Sequence, residues 1–113
     1  MTGINMSIIL PTPVTGYFAA DRTHDEAITD YFTKDAIVID NGQTHTGHHG
    51  IHQWKTATSK KYSYVAAPYK VTEEGARTIV IARLTGNFPG SPIDLRYAFT
   101  LQGDLIERLE ITL

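Results

Sequence analysis

The sequence predicts an α+β fold, in which three helices cover one face of a curved, mostly antiparallel sheet and enclose an apolar cavity. Apolar residues recur at helical spacing in the first half of the chain and alternate with a period of two after residue 61. The pair Asn41-Gly42 is a strong signal for a two-residue hairpin turn and lies between two short strand-like segments. The predicted order of elements is therefore α-α-β-β-α-β-β-β-β.

The chain of 113 residues is predicted to form one domain, 1–113, because it has room for one core and shows no repeat or linker. Residues 1–10 are expected to be a loose N-terminal leader, since their apolar run is too short for a signal sequence or a membrane span. We therefore expect a cytoplasmic protein that has no membrane partner.

The composition excludes several classes of function. A hydrophobic fraction of 42% with 19% charged residues is ordinary for a soluble globular protein. The net charge of -2 gives no reason to expect nucleic acid as a partner. Because the chain has no cysteine, it cannot form disulfides, use a thiolate nucleophile or bind zinc through cysteine.

The first two helices are predicted from residues that suit their starts. Pro13 fits the first turn of helix one with Thr12 as its cap. Asp25 or Thr23 can cap helix two. The residues that follow at helical spacing are Val14, Tyr17, Phe18 and Asp21 in the first helix, and Ala27, Ile28, Tyr31 and Phe32 in the second.

A hairpin and a third helix come next. The strands 35–40 (DAIVID) and 43–46 flank the turn, and the helix is predicted over 47–61. The basic end of this helix suits the negative end of the helix dipole. One face of it carries Ile51, Trp54, Lys55 and Thr58.

Four strands complete the prediction, over 62–71, 77–85, 93–101 and 105–113. Pro68 marks the first of them as an edge or bulged strand, because proline cannot donate to a neighbouring strand. The loop 86–92 (GNFPGSP) is expected to be rigid, and its Phe88 can either cover the cavity or pack against a partner chain.

Three stretches resemble one known superfamily. The segment 31–40 (YFTKDAIVID) is similar to its second helix running into its first strand, and 46–54 (TGHHGIHQW) to its G-x-x-G/A-I-x-x-W helix start. The segment 84–111 (LTGNFPGSPIDLRYAFTLQGDLIERLEI) is similar to its closing strands. The chain thus resembles the nuclear transport factor 2-like superfamily, especially its SnoaL-like and ketosteroid-isomerase-like members. The resemblance implies a cone-shaped α+β fold, which hosts isomerases, cyclases, dehydratases and binding subunits.

Asp40 is the first candidate catalytic residue. It ends an apolar strand, and a carboxylate in an apolar cavity is a stronger base than one in water. The resemblance implies that Asp40 stands where the isomerases carry their proton-shuttling aspartate. The alternative is that Asp40 only starts the hairpin turn by accepting backbone N–H bonds.

Two tyrosines are candidate hydrogen-bond donors. The resemblance places Tyr17 near the isomerases' first-helix tyrosine, whose hydroxyl can donate to an enolate oxygen. It places Tyr97 where those enzymes keep a protonated aspartic acid, so the constellation is altered and steroid isomerisation itself is not expected. Asp94 lies on the opposite strand face from Tyr97 by strict alternation. Tyr17 can instead be a plain core aromatic on the inner face of the first helix, whereas Tyr97 can still donate a hydrogen bond with its hydroxyl.

A pocket for a small hydrophobic molecule is predicted between the helices and the sheet. Trp54 is expected to form its largest apolar wall. The predicted lining consists of Val38, Ile51, His52, Trp54 and Phe99.

Four of the five histidines fall within eight residues, at His45, His48, His49 and His52. His48 and His52 are i, i+4 on the predicted helix, but no third strong ligand or H-E-x-x-H motif accompanies them. We therefore predict no metal site and interpret the histidines as a polar helix start, with an acid/base histidine at the pocket mouth as the alternative.

These observations favour a small-molecule protein that works without a cofactor. The first hypothesis is an isomerase- or cyclase-type enzyme with Asp40 as base and Tyr17 or Tyr97 as donors. The second is a non-catalytic binder of a small hydrophobic ligand, and the third is a protein-interaction or dimerisation module. The resemblance also implies a homodimer.

Overall fold

The computed structural model describes residues 8–113, and residues 1–7 of the predicted leader lie outside them. The helical elements are α1 (Thr12–Thr23), a 3-10 helix (Glu26–Tyr31) and α2 (Gly47–Lys61). The strands are β1 (Phe32–Asp40), β2 (Gln43–Thr46), β3 (Tyr64–Glu74), β4 (Arg77–Gly86), β5 (Ile93–Gln102) and β6 (Leu105–Thr112). None of the helices within this range is both long and apolar enough to cross a membrane.

The described strands form one six-stranded sheet in the order β2-β1-β6-β5-β4-β3. Neighbouring strands are antiparallel except β1 and β6, which are parallel. The predicted α+β class and the mostly antiparallel sheet are therefore confirmed. The bounds of the predicted third helix, 47–61, are those of α2.

The prediction of three regular α-helices is wrong at the second. Asp25 does cap the segment, since its Oδ1 accepts from the backbone N–H of Ala27 at 2.9 Å. The segment is only a six-residue 3-10 helix, because β1 already begins at Phe32. Phe32 pairs with Ile106 of β6 and is 2% exposed, so pairing with the sheet overrides its helical spacing.

The start of α1 also differs from the prediction. Pro11, not Thr12, occupies the N-cap position, and no side chain caps this end. Thr12 is itself the first helical residue, with Pro13 after it in the first turn as predicted.

Pro68 marks a bulge, as predicted. Pro68 pairs with Ala82 and Lys70 pairs with Ile81, so Tyr69 is the extra residue on β3. β3 is an edge strand, where a proline without an N–H is tolerated.

Phe88 of the loop after β4 packs edge-to-face against Tyr62, with ring centres 6.2 Å apart.

Aromatic rings fill the core between α1 and β5. Tyr17 and Phe18 of α1 each pack edge-to-face on Phe99 of β5, with ring centres 5.7 and 6.0 Å apart. Tyr97 stacks beside Phe99 at 6.2 Å. Such pairs contribute about 0.5–1.5 kcal/mol beyond the burial of their area. The apolar cavity predicted between helices and sheet is not seen between these rings.

Gly86 allows β4 to approach the start of β3. A Cβ there would overlap the carbonyl oxygen of Ser63 and would lie 2.8 Å from Tyr64 Cα, both of them backbone atoms. We expect Gly86→Ala to lower the free energy of unfolding by about 1–3 kcal/mol, because the backbone must shift. Urea unfolding of the variant measures this loss.

Gly50→Ala is the matched control. A Cβ at Gly50 of α2 would meet His45 no closer than 3.6 Å, and alanine favours the helix by roughly 0.5–1 kcal/mol. Equal stability of the two variants would contradict the packing described for Gly86.

Candidate functional site

Two carboxylates meet consecutive side chains of α2. Trp54 Nε1 donates to Asp40 Oδ2 at 2.9 Å, and Lys55 Nζ forms an ion pair with Asp21 Oδ1. Asp40 is the last residue of β1, whereas Asp21 lies near the end of α1. Adjacent residues of a helix point about 100° apart, which lets α2 reach both carboxylates.

Tyr64 of β3 joins the ion pair. Lys55 Nζ donates to the Tyr64 hydroxyl at 2.8 Å, and that hydroxyl donates to Asp21 Oδ1 at 2.9 Å. Asp21 and Lys55 are 4% and 9% exposed, so both charges are buried and both are paired. The ammonium also lies 4.7 Å from the centre of the Trp54 ring, within the range of a cation–π contact.

Tyr17 and Tyr97 lie in the same region. They are 1% and 3% exposed, and their ring centres are 6.4 Å apart. Burial raises the pKa of each hydroxyl, and the nearby negative charges of Asp21 and Asp40 raise both further. Burial and Asp21 likewise raise the pKa of Tyr64. All three hydroxyls therefore keep their protons at neutral pH and can act as donors.

These groups form one unit, which we call the polar centre. Its members come from α1, β1, α2, β3 and β5. They are Tyr17, Asp21, Asp40, Trp54, Lys55, Tyr64 and Tyr97.

The structure brings together the three residues predicted as catalytic, Asp40, Tyr17 and Tyr97. In the described chain, the side-chain hydrogen bond of Asp40 goes to Trp54 and not to the backbone of the Asn41-Gly42 turn. Asp40 still directly precedes this turn and pairs across it with Gln43, but the backbone contact expected of a turn-starting side chain is not among the hydrogen bonds of the described residues. Asp94 lies on the outer sheet face as predicted, where hydrogen bonds from Arg83 and then Tyr69 lower its pKa.

The residues predicted to line a pocket separate into three groups. Val38, Ile51 and Phe99 are fully buried in the apolar core. Trp54 belongs to the polar centre. His52 lies outside, half-exposed, with its Nε2 at 3.1 Å from Glu26 Oε1.

His52 borders a surface groove between α1, the 3-10 helix and α2. The groove has a volume of about 390 Å³. It is lined by Ala20, Asp21, His24, Asp25, Glu26, Ile28, His52, Lys55, Thr56, Ser59 and Lys60. Asp21 and Lys55 therefore belong to both the groove and the polar centre, and connect them.

Asp21 and Lys55 are not among the site residues predicted from the sequence. Both lie on the inward face of a predicted helix, among apolar neighbours. A charged side chain is rarely buried unless it pairs with an opposite charge. Two opposite charges on inward helix faces are therefore the sequence signal that could have identified this pair.

The clustered histidines do not converge. His48 Nε2 lies 2.9 Å from the carbonyl oxygen of Phe32, and His52 pairs with Glu26. His45 stacks on Trp54, with ring centres 5.9 Å apart. Within residues 8–113, no three His, Asp or Glu side chains are grouped so that they could hold a metal ion.

The buried ion pair generates a prediction about stability. Replacing Asp21 by Leu, or Lys55 by Met, leaves the other charge buried without its partner and should cost about 3–5 kcal/mol. The double variant replaces both charges by apolar side chains and should be more stable than either single variant. Chemical denaturation of the four proteins measures the coupling, and additive losses would contradict the pairing.

The tyrosines generate a prediction about pH. Because the folded pKa values of Tyr17, Tyr64 and Tyr97 are raised, the folded state binds more protons than the unfolded state above about pH 10. This stability is fully present below the unfolded pKa of about 10 and is lost as the pH rises further. Unfolding measured between neutral and strongly alkaline pH should show that loss, and Tyr97→Phe should make it shallower. An unchanged pH dependence in Tyr97→Phe would remove Tyr97 from this explanation.

No protein-family model and no curated protein sequence matches the chain. Among solved structures it is similar to protein SMa1630 of Sinorhizobium meliloti, described as a "putative polyketide cyclase". The two share 43% sequence identity with a TM-score of 0.87, over 91% of this chain and 95% of the other.

Two less similar structures share the fold. One is a protein of Catenulispora acidiphila with a ketosteroid isomerase-like fold, in complex with trimethylamine (23% identity, TM-score 0.81, covering 93% and 87% of the two chains). The other is an NTF2-like protein of Cytophaga hutchinsonii (17% identity, TM-score 0.72, covering 95% and 93%). These two structures show that the chain has the nuclear transport factor 2-like fold. The 43% identity over 91% of the chain shows that it belongs to the same family as the Sinorhizobium meliloti protein.

Proposed function

We propose that the protein is an enzyme of the isomerase or cyclase type, which moves a proton next to the carbonyl group of a small hydrophobic molecule without a cofactor. Asp40 is the base, and Tyr17 and Tyr97 are the donors to the carbonyl oxygen. The observation that carries the proposal is the half-buried Asp40 carboxylate, which accepts from the neutral Trp54 N–H and is near enough for its charge, in addition to burial, to raise the pKa of Tyr17 and of Tyr97.

The two carboxylates of the polar centre differ in the kind of group that binds them. Asp21 is neutralised by the Lys55 ammonium, and the same oxygen, Oδ1, also accepts from the Tyr64 hydroxyl. Asp40 accepts from one uncharged N–H among the described residues and keeps its other oxygen for a proton. Asp40 is therefore the carboxylate with a free oxygen and no cation bound to it, which is the arrangement that a proton acceptor needs.

The tyrosines support the same assignment. Among residues 8–113, neither the Tyr17 nor the Tyr97 hydroxyl has a hydrogen-bond partner, although both side chains are buried. A buried hydroxyl without a partner is costly, and a ligand oxygen would satisfy it. The polyketide-cyclase description of the Sinorhizobium meliloti protein fits a carbonyl substrate.

The groove favours a second candidate function, a non-catalytic binder of a small ligand. Its volume of about 390 Å³ is within the usual range of ligand pockets, and it does not include Asp40. For this function, binding should survive Asp40→Asn and fail when Ser59, which lines the groove, becomes Trp and fills it. A role in protein interaction, a homodimer and a cytoplasmic location stay predictions from the sequence.

Hydrogen exchange at carbon tests the proposed function without knowledge of the natural substrate. Ketones and 1,3-diketones are incubated with the protein in deuterium oxide, and deuterium entering beside the carbonyl is followed by NMR. The protein should accelerate this exchange for some of them, and Asp40→Asn should reduce the acceleration by about a hundredfold or more.

Asp35→Asn is the matched control, because Asp35 lies on the same strand but is exposed. It should exchange at the wild-type rate. If Asp40→Asn folds normally and exchanges as fast as the wild type, Asp40 is not the base and the proposed function is wrong.

A further inference from the structure

We propose that the Lys55 ammonium binds the substrate oxygen on which negative charge develops when Asp40 removes the proton. The proposal rests on the proposed function and deepens it by naming the substrate class. That class is an uncharged carbonyl compound with an acidic C–H, such as a 1,3-dicarbonyl compound. Lys55 would then be a catalytic residue, and Asp21 and Tyr64 would be positioning residues.

The position of Lys55 suits this role. Its Nζ lies 4.7 Å from the centre of the Trp54 ring, and the N–H of the same indole holds Asp40. The base and the ammonium thus contact two parts of one indole ring. A small carbonyl compound beside that ring would place its C–H at Asp40 and its oxygen at Lys55.

The ammonium also has hydrogen-bonding capacity left. It carries three N–H donors, and within residues 8–113 it binds two acceptors, Asp21 Oδ1 and the Tyr64 hydroxyl. The third donor is available to a ligand oxygen. Lys55 also lines the groove, which gives a ligand a route to it from solvent.

The charges of the polar centre determine which substrates fit. With an uncharged substrate bound, Asp21 and Asp40 carry two negative charges and Lys55 one positive charge. Proton removal makes Asp40 neutral, turns the C–H electron pair into the C=C bond of an enolate and moves the carbonyl electron pair onto oxygen. The net charge is unchanged, and the new negative charge lies beside Lys55. An anionic substrate would add an uncompensated charge to a buried site and should be rejected.

The enolate can react further in two ways without any additional reagent. It can take the proton back from Asp40 at another carbon, which is an isomerisation. Its carbon can instead attack a second carbonyl of the same molecule, whose oxygen takes the proton from Asp40, which is a cyclisation. In both cases Asp40 ends as a carboxylate and Lys55 keeps all its protons.

The roles of Asp21 and Tyr64 follow from their contacts. Both bind the ammonium directly and come from different elements, α1 and β3, so they hold the flexible lysine side chain at one point. Burial raises the pKa of Tyr64, which keeps its proton on the hydroxyl for Asp21. A cation fixed before the reaction stabilises developing charge better than a mobile one.

The test uses para-nitrophenol, whose phenolate oxygen resembles that of an enolate and whose ionised form absorbs visible light. It is titrated into Asp40→Asn, in which residue 40 is uncharged, as it is after proton transfer. The bound probe should be the phenolate at a pH where the free probe is partly protonated. Adding Lys55→Met should weaken phenolate binding about tenfold or more, and Lys55→Arg should retain part of it.

Two further variants keep the outcome decisive. Asp21→Asn combined with Lys55→Met leaves no unpaired charge, so a loss of binding in this folded protein cannot come from unfolding. Lys60→Met removes an exposed lysine of the same helix that lines the outer groove, and it should bind the phenolate as before.

Unchanged phenolate binding in the folded Lys55→Met proteins would show that Lys55 is only structural and would overturn this inference. A loss in Lys60→Met that matches the loss in Lys55→Met would place the probe in the outer groove and would also overturn it. Neither outcome touches the proposed function, because deuterium exchange that depends on Asp40 is measured separately.

Discussion

The buried ion pair between Lys55 and Asp21 is the interaction on which the rest of the site depends. Lys55 is only 9% exposed, so its ammonium needs an anion beside it, and the end of α1 supplies one. Tyr64 binds both charges and ties β3 to the two helices. Because the pair fixes α2 against α1, it also sets where Trp54 meets Asp40.

The same helix gives the two carboxylates different chemistry. One is bound by a cation and the other by an uncharged indole N–H, so one is neutralised and the other can accept a proton. Three tyrosine hydroxyls with raised pKa values surround them and supply protons for hydrogen bonds. A base, a cation and neutral donors are what the proposed formation of an enolate requires.

The sequence was most informative where a single periodic pattern governs an element. The change from helical spacing to alternation after residue 61 predicted α2 and the four closing strands with small errors at their ends. The prediction of a regular second helix was wrong because Phe32 fits both the helical spacing and the alternation of a strand. Its pairing with Ile106, which is distant in sequence, makes it part of β1. The spacing of nearby residues cannot predict a pairing between distant segments.

The candidate site was predictable in part for the same reason. Asp40, Tyr17 and Trp54 stand out within recognisable local segments, and the structure brings them together with Tyr97. The Lys55–Asp21 pair joins two helices that are far apart in the chain, so the sequence offers only two inward-facing charges and the tertiary arrangement shows that they pair. His52 was predicted to line the pocket but points to Glu26 outside, because one helical step separates it from the inward face.

The most direct measurement is a crystal structure of Asp40→Asn grown with para-nitrophenolate. The account predicts that the phenolate oxygen lies within hydrogen-bond distance of Lys55 Nζ while the ring lies beside Trp54 and residue 40. A probe bound only in the outer groove, against His24 and Lys60 and away from residue 40, would contradict the claim that one small-molecule site contains both the base and the ammonium.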